Sequence, residues 1–361
     1  MTALQDLAER VQSAAATGTL LRLRGGGSKD FYGQSLEGEV LELAGYAGIV
    51  DYDPTELVVT ACCGTRLAEL EAVLAERGQW LAFEPPHLGA GATVGGMVAA
   101  GLSGPRRAAA GAVRDFLLGA KVMDGRGEVL DFGGRVMKNV AGYDASRLMA
   151  GALGTLGIVL EVSLKTLPRP PAEATLRFEL PEERAIETLN RWAAQPLPLS
   201  ASAWRAGDMT VRLSGAAAAV RAARHKLGGE LVDEPQAAGF WLGMREQGDA
   251  FFKGEMPLWR VSLPSLAAPF APLLALGGEQ QIAQLIEWGG AQRWLRSGAD
   301  AAAIRAAAAR AGGHATLFRG GDKSCGVFHP LPDTLLKLHR NLKAQFDPKR
   351  ILNAGRMYAA F

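Results

Sequence analysis

The chain has 361 residues, of which 48% are hydrophobic and 21% charged, a composition that excludes disorder throughout. The formal net charge is +2, which gives no cationic footprint for a nucleic acid. At about 100–200 residues per domain, the length predicts two or three domains, and the core can be sizeable. Glycine is the outlier: 45 of 361 residues, against a usual share of about 7%. No G-X-Y period accompanies it, so the glycines serve loops and close backbone approaches. The three cysteines, Cys62, Cys63 and Cys325, make no disulfide framework and no zinc-type spacing. That pattern fits a reducing compartment.

In chain order, the first segment has Leu4, Leu7 and Val11 at helical spacing with charges scattered through it. This predicts an amphipathic helix and not a signal peptide. Thr19–Arg24 predicts a strand running into Gly25, Gly26, Gly27 and Ser28. Val40–Leu43 and Leu57–Thr60 predict short strands around the Asp53-Pro54 turn. Leu67, Leu70, Val73 and Leu74 predict a helix over Leu67–Arg77, ended by Gly78. Residues 88–105 are uncharged but glycine-rich, and 263–278 are interrupted by prolines, so neither predicts a membrane span. Phe116–Phe132 alternates around Asp124-Gly125, a hairpin signal. Gly157–Leu164 predicts a strand.

Pro168–Pro171 is a stiff breaker where a linker would sit. Beyond it, strands and helices alternate: ATLRFEL, EERAIETLNRWAA, ASAWRAGDMTVRLSG, AAAAVRAARHKLGG, LWRVSLP, QLIEWGGAQRWLR and HATLFRG. This predicts an antiparallel sheet with helices on one face. No internal repeat is visible. The last thirty residues predict a helix, through Leu335, Leu336, Leu338 and Leu342, and then a polar turn.

Three glycine-rich segments carry the chemistry. Arg24–Gly33 presents consecutive backbone N–H groups after a strand, with Ser28, Arg24 and Lys29 beside them, an arrangement suited to phosphate. It matches neither a P-loop nor a Rossmann turn; the plain alternative is a glycine-rich hairpin. In 85–104, Thr93 predicts an N-cap, and the small residues after it would let a diphosphate or planar ligand approach a helix start. The plain alternative there is close helix packing. Gly151–Ile158 repeats the theme before a strand. One large ligand explains all three segments together.

Arg24–Gly33, Ala90–Gly104, Asp144–Ile158 and the tail Phe346-Asp347-Pro348 with Leu352-Asn353 resemble the FAD-binding domain of the vanillyl-alcohol oxidase/PCMH-type flavoprotein superfamily. Residues 136–158 and 91–107 are similar to the E subunits of bacterial glycolate oxidases (glycolate dehydrogenases). Departures are Ala354 where Pro is usual and Leu153 where Glu often precedes GTLG. The resemblance implies an α+β fold. A two-lobed FAD-binding domain would span 1–170, with lobes at about 1–84 and 85–170. A ferredoxin-like cap would span 171–330, and a tail 331–361 would return to the FAD domain. It implies FAD contacts from Arg24, Gly25, Gly26, Gly27, Ser28 and Lys29 in the pyrophosphate loop. Pro86, Gly89, Thr93, Val94, Gly95, Gly96, Ala99, Ser103 and Gly104 would follow in the second segment, then Gly157, Ile158 and Asn353. Some relatives attach flavin through a His in the first loop; here Ser28 stands there, so non-covalent FAD is expected.

Catalytic relatives carry an HxGDGNxH motif in the cap. This chain reads GGHATLFRGGDKSCGVFHP over 312–330, with His314, Asp322 and His329 at other spacings. Catalytic residues are thus unassigned. The candidates are Arg319, for a carboxylate, with His314 and His329; no metal site is expected. The resemblance implies an FAD-dependent oxidoreductase subunit oxidising glycolate or other 2-hydroxy acids. Its partners would be a larger flavin subunit and an iron–sulfur subunit. It would be cytoplasmic, meeting the inner membrane only through those partners, with no transmembrane segment. A free-standing flavin oxidase and a non-catalytic subunit that keeps the fold stay open as alternatives.

Overall fold

The computed structural model describes residues 3–134, 145–269 and 283–361. Residues 136–144 of the resemblance motif, including Asp144, lie outside these. Contacts divide the chain into two compact units: Met1–Ser103, Gly111–Arg169 and Pro330–Phe361 in the first, Gly104–Ala110 and Pro170–His329 in the second.

The first unit opens with helix α1 (Ala3–Thr17), whose Leu7, Val11 and Ala14 are buried on one stripe. Strand β1 (Leu21–Arg24) pairs in parallel with β2 (Glu39–Glu42). Strands β3 (Ile49–Asp53) and β4 (Val58–Cys62) form a hairpin across the Asp53 turn, where Asp53 accepts from the N–H groups of Thr55 and Glu56. Helix α2 (Leu67–Glu76) buries Leu67, Leu70 and Leu74. The short strand β5 (Gln79–Trp80) precedes helix α3 (Val94–Ala100). Strands β6 (Leu117–Met123) and β7 (Val129–Gly133) are the predicted hairpin, turned by Asp124, whose Oδ1 accepts from the N–H groups of Arg126 and Glu128. Strand β8 (Ile158–Lys165) joins both hairpins into one antiparallel sheet of order β3-β4-β8-β6-β7, and β9 (Leu167–Pro168) pairs with β5.

This topology corrects the expected lobe boundary at residue 84. Val58 pairs with Lys165 and Cys62 with Glu161, so strands from both sides of that boundary share a sheet. The expected second lobe also loses Gly104–Ala110 to the other unit. There Arg107 stacks on Trp288, 4.5 Å from the ring centre, and the Trp288 indole N–H donates to the Gly104 carbonyl at 3.2 Å.

The second unit is built on β10 (Ala172–Glu179), helix α4 (Glu182–Ala193), β11 (Leu199–Arg205), β12 (Asp208–Gly215), helix α5 (Ala217–Leu227) and β13 (Glu230–Val232). Helix α6 (Glu234–Arg245) follows, then β14 (Leu258–Ser262), β15 (Ala283–Glu287), β16 (Gln292–Arg296), helix α7 (Ala301–Arg310) and β17 (His314–Arg319). The eight strands form one antiparallel sheet of order β13-β10-β12-β11-β15-β16-β14-β17. Its first four strands have the 4-1-3-2 order of a ferredoxin-like sheet. Its last four repeat that order in mirror sense, with β11 pairing β15 at the centre. The cap is therefore a duplicated ferredoxin-like topology with no trace of duplication in the sequence.

On one face, Leu176, Met209, Val211 and Leu213 pack on Ala185 and Leu189 of α4 and on Val220 and Ala223 of α5. Trp259, Val261, Leu295 and Leu317 pack on Ile304, Ala307 and Ala308 of α7 in the other half. The expectation of helices on one face alone fails at α6. Its Trp241 indole donates to Thr175 Oγ1 at 3.0 Å and stacks under Arg212. Thr175 alternates with Leu176, so α6 lies on the opposite face.

Candidate functional site

The first loop leaves β1 at Arg24. Among the described residues, the N–H groups of Gly25, Gly26, Gly27 and Ser28 donate to nothing within the chain. Four successive free donors on half-buried backbone form an anion-binding concavity. Arg24 is less free than its sequence suggested. Its Nε donates to Asp30 at 3.0 Å and its Nη1 lies 3.6 Å from Glu42. Lys29 reaches across to the second segment, donating to the His87 carbonyl at 3.0 Å and to Ser28 Oγ at 3.4 Å.

The glycines here do a different job from the one expected. A Cβ at Gly26 would lie 1.3 Å from the Gly91 carbonyl oxygen, and one at Gly25 would lie 2.4 Å from Thr93 Oγ1. The two loops are packed backbone on backbone. A side chain at Gly26 would separate them before it reached any ligand.

The second segment departs further. Thr93 is the N-cap of α3, its Oγ1 accepting from Gly96 at 3.2 Å. The other first-turn amides are also taken: Val94 donates to Thr65 and Gly95 to Cys63. The helix is only seven residues long. The Val94, Gly95 and Gly96 amides are therefore engaged within the chain, and the 25–28 loop is the donor-rich element. Beneath Gly95, the buried Cys63 thiol is pushed up to about 12 by burial. Pro86 is buried, Gly89 is exposed with Ser28 3.2 Å from its would-be Cβ, and Ser103 Oγ accepts from Val113 N–H at 3.1 Å. Gly104 belongs to the second unit.

The third segment and the tail meet these loops. Gly151 donates to Val98 and Leu153 to Ala99, at the end of α3. Gly157 lies against Val122, with no room for a Cβ, and Ile158 is fully buried opposite Met123 in the sheet. Asn353 is 5% exposed and its amide is engaged inside the chain: Nδ2 donates to Leu153 O at 2.6 Å, and Oδ1 accepts from Leu23 N–H at 2.8 Å. It pins β1 to the 151–157 loop.

The residue that sequence reasoning missed is Lys343, on the C-terminal helix Asp333–Phe346. Fully buried, it donates to Thr155 O, Leu352 O and Asp347 Oδ2, each at 2.7 Å. Asp347 in turn accepts from Ile351 and Leu352 N–H. Burial lowers the Lys343 pKa against the pull of Asp347. Arg356 completes the tie, donating to the carbonyls of Gln34 and Asp30 at 2.9 Å. The Lys-to-Asp spacing of four residues, running into the Asp-Pro signature, was the available signal.

In the second unit, the three catalytic candidates do not assemble into one constellation. His314 opens β17, and His329 lies with its ring centre 6.4 Å away, its Nδ1 accepting from Ala315 N–H at 3.4 Å. Burial lowers both histidine pKa values, aided by Arg260 at His314 and Arg305 at His329. Asp322 caps its own turn through Ser324. Arg319 donates to Gln247 Oε1 at 2.7 Å. Among the described residues, no group of three His, Cys, Asp or Glu is placed to hold a metal ion, and no helix is long and apolar enough to cross a membrane.

Residues 1–133 match the model of a family described as an FAD binding domain. The chain is 49% identical, over 98% of its length and 97% of the relative's, to the glycolate oxidase subunit GlcE of Escherichia coli. It is 32% identical to the glycolate oxidase subunit GlcD of Bacillus subtilis, over 36% of this chain and 27% of that one. It is 34% identical to a D-lactate dehydrogenase of Anaerostipes hadrus, over 38% and 29%. Among solved structures, an alkyldihydroxyacetonephosphate synthase superposes with a TM-score of 0.68 at 16% identity, over 97% of this chain and 75% of that one. That likeness is one of fold.

Proposed function

The chain belongs to the family of the glycolate oxidase subunit GlcE, and from that premise we propose that it is the FAD-binding subunit of a glycolate-oxidising complex. The observation that supports this best is the row of four free amides at Gly25–Ser28, which suits the pyrophosphate of FAD. FAD held there would supply the redox chemistry, that of a hydride acceptor for a 2-hydroxy acid. The chain's own residues bind and orient. The 25–28 loop holds the diphosphate, and Lys29 adds positive charge beside it. Asn353, Lys343 and Arg356 fix the surrounding loops. Ser28 offers no imidazole for covalent attachment, so the cofactor is held non-covalently.

Among the described residues of the second unit, His314, His329 and Arg319 form no assembled base for the hydroxyl proton, and such a base is typically worth about 10²–10⁴-fold in rate. The chain alone is therefore yellow and slow, and a partner flavin subunit completes the oxidation. The three cysteines supply no cluster ligands, so electrons leave through an iron–sulfur partner. The test is glycolate-dependent dye reduction, per flavin, by the isolated chain and by the chain reconstituted with its partner subunits. A large gain on reconstitution is expected. Equal rates would contradict the division of labour and point to a free-standing oxidase.

A further inference from the structure

Arg296 is 5% exposed, at the end of β16. Among the described residues, its only acceptor is the Phe252 carbonyl, at 3.5 Å from Nη1, and its Nη2 is buried with no hydrogen-bond partner. No carboxylate pairs with it among the described residues. A guanidinium does not shed its proton, so the charge stays in the apolar interior. Strand β14 lies between β16 and β17, and Leu258 pairs with Arg296 on one side and Arg319 on the other. The two arginines thus share a row across the sheet. Burial lowers the Arg319 pKa, and the charge of Arg296 lowers it further. Space for the Arg296 fork is kept by Gly254, where φ is +116° and a Cβ would lie 2.6 Å from Nη2. Trp294, two residues before Arg296, packs edge-on against Phe252 and Phe318, with ring centres 5.5 and 4.9 Å away. This apolar wall strengthens any charge pairing beside it.

We infer that Arg296 and Arg319 form an anion-binding subsite of the second unit that takes the carboxylate of a small 2-hydroxy or 2-oxo acid. The inference rests on the function proposed above for its choice of acid, and on the unpartnered guanidinium for its chemistry. A planar carboxylate accepts from a guanidinium fork through two parallel bonds, which a lysine cannot offer. Arg296 makes the primary contact, and Arg319, tethered by Gln247, sits beside it as a second charge.

The experiment uses the purified full chain at constant ionic strength. Glycolate, oxalate, acetate and inorganic phosphate are titrated in turn, read by tryptophan fluorescence and by melting temperature. The carboxylates should bind saturably and raise the melting temperature. Arg296→Met should weaken them by about 10- to 100-fold while melting, without anion, no lower than the wild type. Arg296→Lys keeps the charge without the fork and should fall between the two, which covers a Met variant that fails to fold. Unchanged carboxylate affinity in Arg296→Met, an anion-free loss of stability in both variants with no change in affinity, or binding of phosphate alone would each overturn the subsite. Because the readout is binding by the isolated chain, failure of the reconstituted complex to oxidise glycolate would count against the proposed function and leave this test standing.

Discussion

Lys343 in the first unit and Arg296 in the second are both cations removed from water, and they are opposite cases. Lys343 has three donors and three acceptors, all at 2.7 Å, one of them a carboxylate. Arg296, among the described residues, has one marginal acceptor and an idle Nη2. Buried charge is costly unless paired, so the first arrangement is a structural pin and the second calls for a partner from outside the chain. The comparison teaches that burial of a charge does not mark a functional residue; the account of its donors does.

The sharpest way to break this contrast is Lys343→Met, which leaves Asp347 buried without its cation. It should cost about 3–5 kcal/mol of stability and loosen the tail from Thr155 and Leu352, read by urea denaturation. Stability within error of the wild type would remove the pin from the account. The double variant Lys343→Met with Asp347→Leu should recover part of the loss.

Gly26→Val comes next. Its side chain meets the Gly91 carbonyl, so the loops must part, at a cost of about 1–3 kcal/mol and with loss of bound flavin. Circular dichroism should stay normal. A variant that retains full flavin would refute both the loop packing and the cofactor assignment. Thr93→Ala removes the cap of α3 and should cost about 1 kcal/mol, a shift readable in the denaturation midpoint; no shift would mean that Gly96 finds another acceptor.

The smallest effect is a pH dependence in the second unit. Burial, then Arg305, holds the His329 imidazole below its usual value, so the unfolded chain binds its proton more readily. The stability this histidine contributes is complete above about pH 6.5 and falls away as the pH drops through the lowered folded value. His329→Gln should remove a few tenths of a kcal/mol of the stability difference between pH 7.5 and 5.5. An unchanged difference would assign the slope to other groups.

Much of this was legible in the sequence. Alternation and the Asp124-Gly125 turn located the β6–β7 hairpin, and Thr93 before small residues located its cap, because each is a local rule. The pairing of β4 with β8, about a hundred residues apart, obeys no local rule, and the boundary expected at residue 84 failed there. The duplicated cap was hidden because topology can repeat when only the apolar alternation is kept. Helix α6 was placed on the wrong side because a single indole–threonine bond decides its face. Glycine content marked loops that the fold packs together, but its cause at Gly26 is contact between two stretches of backbone, which composition cannot distinguish from contact with a ligand. Lys343 and Arg296 are invisible for the same reason: a charged residue in the sequence reads as solvated until its neighbours are known.

We propose above all that the first unit holds FAD, without a covalent bond, at the Gly25–Ser28 loop. Denaturing the purified chain and assaying the supernatant tests it most directly. About one FAD per chain should appear in solution, and that yield should fall to near zero in Gly26→Val. Flavin that stays with the precipitated protein, FMN in place of FAD, or a colourless chain would contradict it.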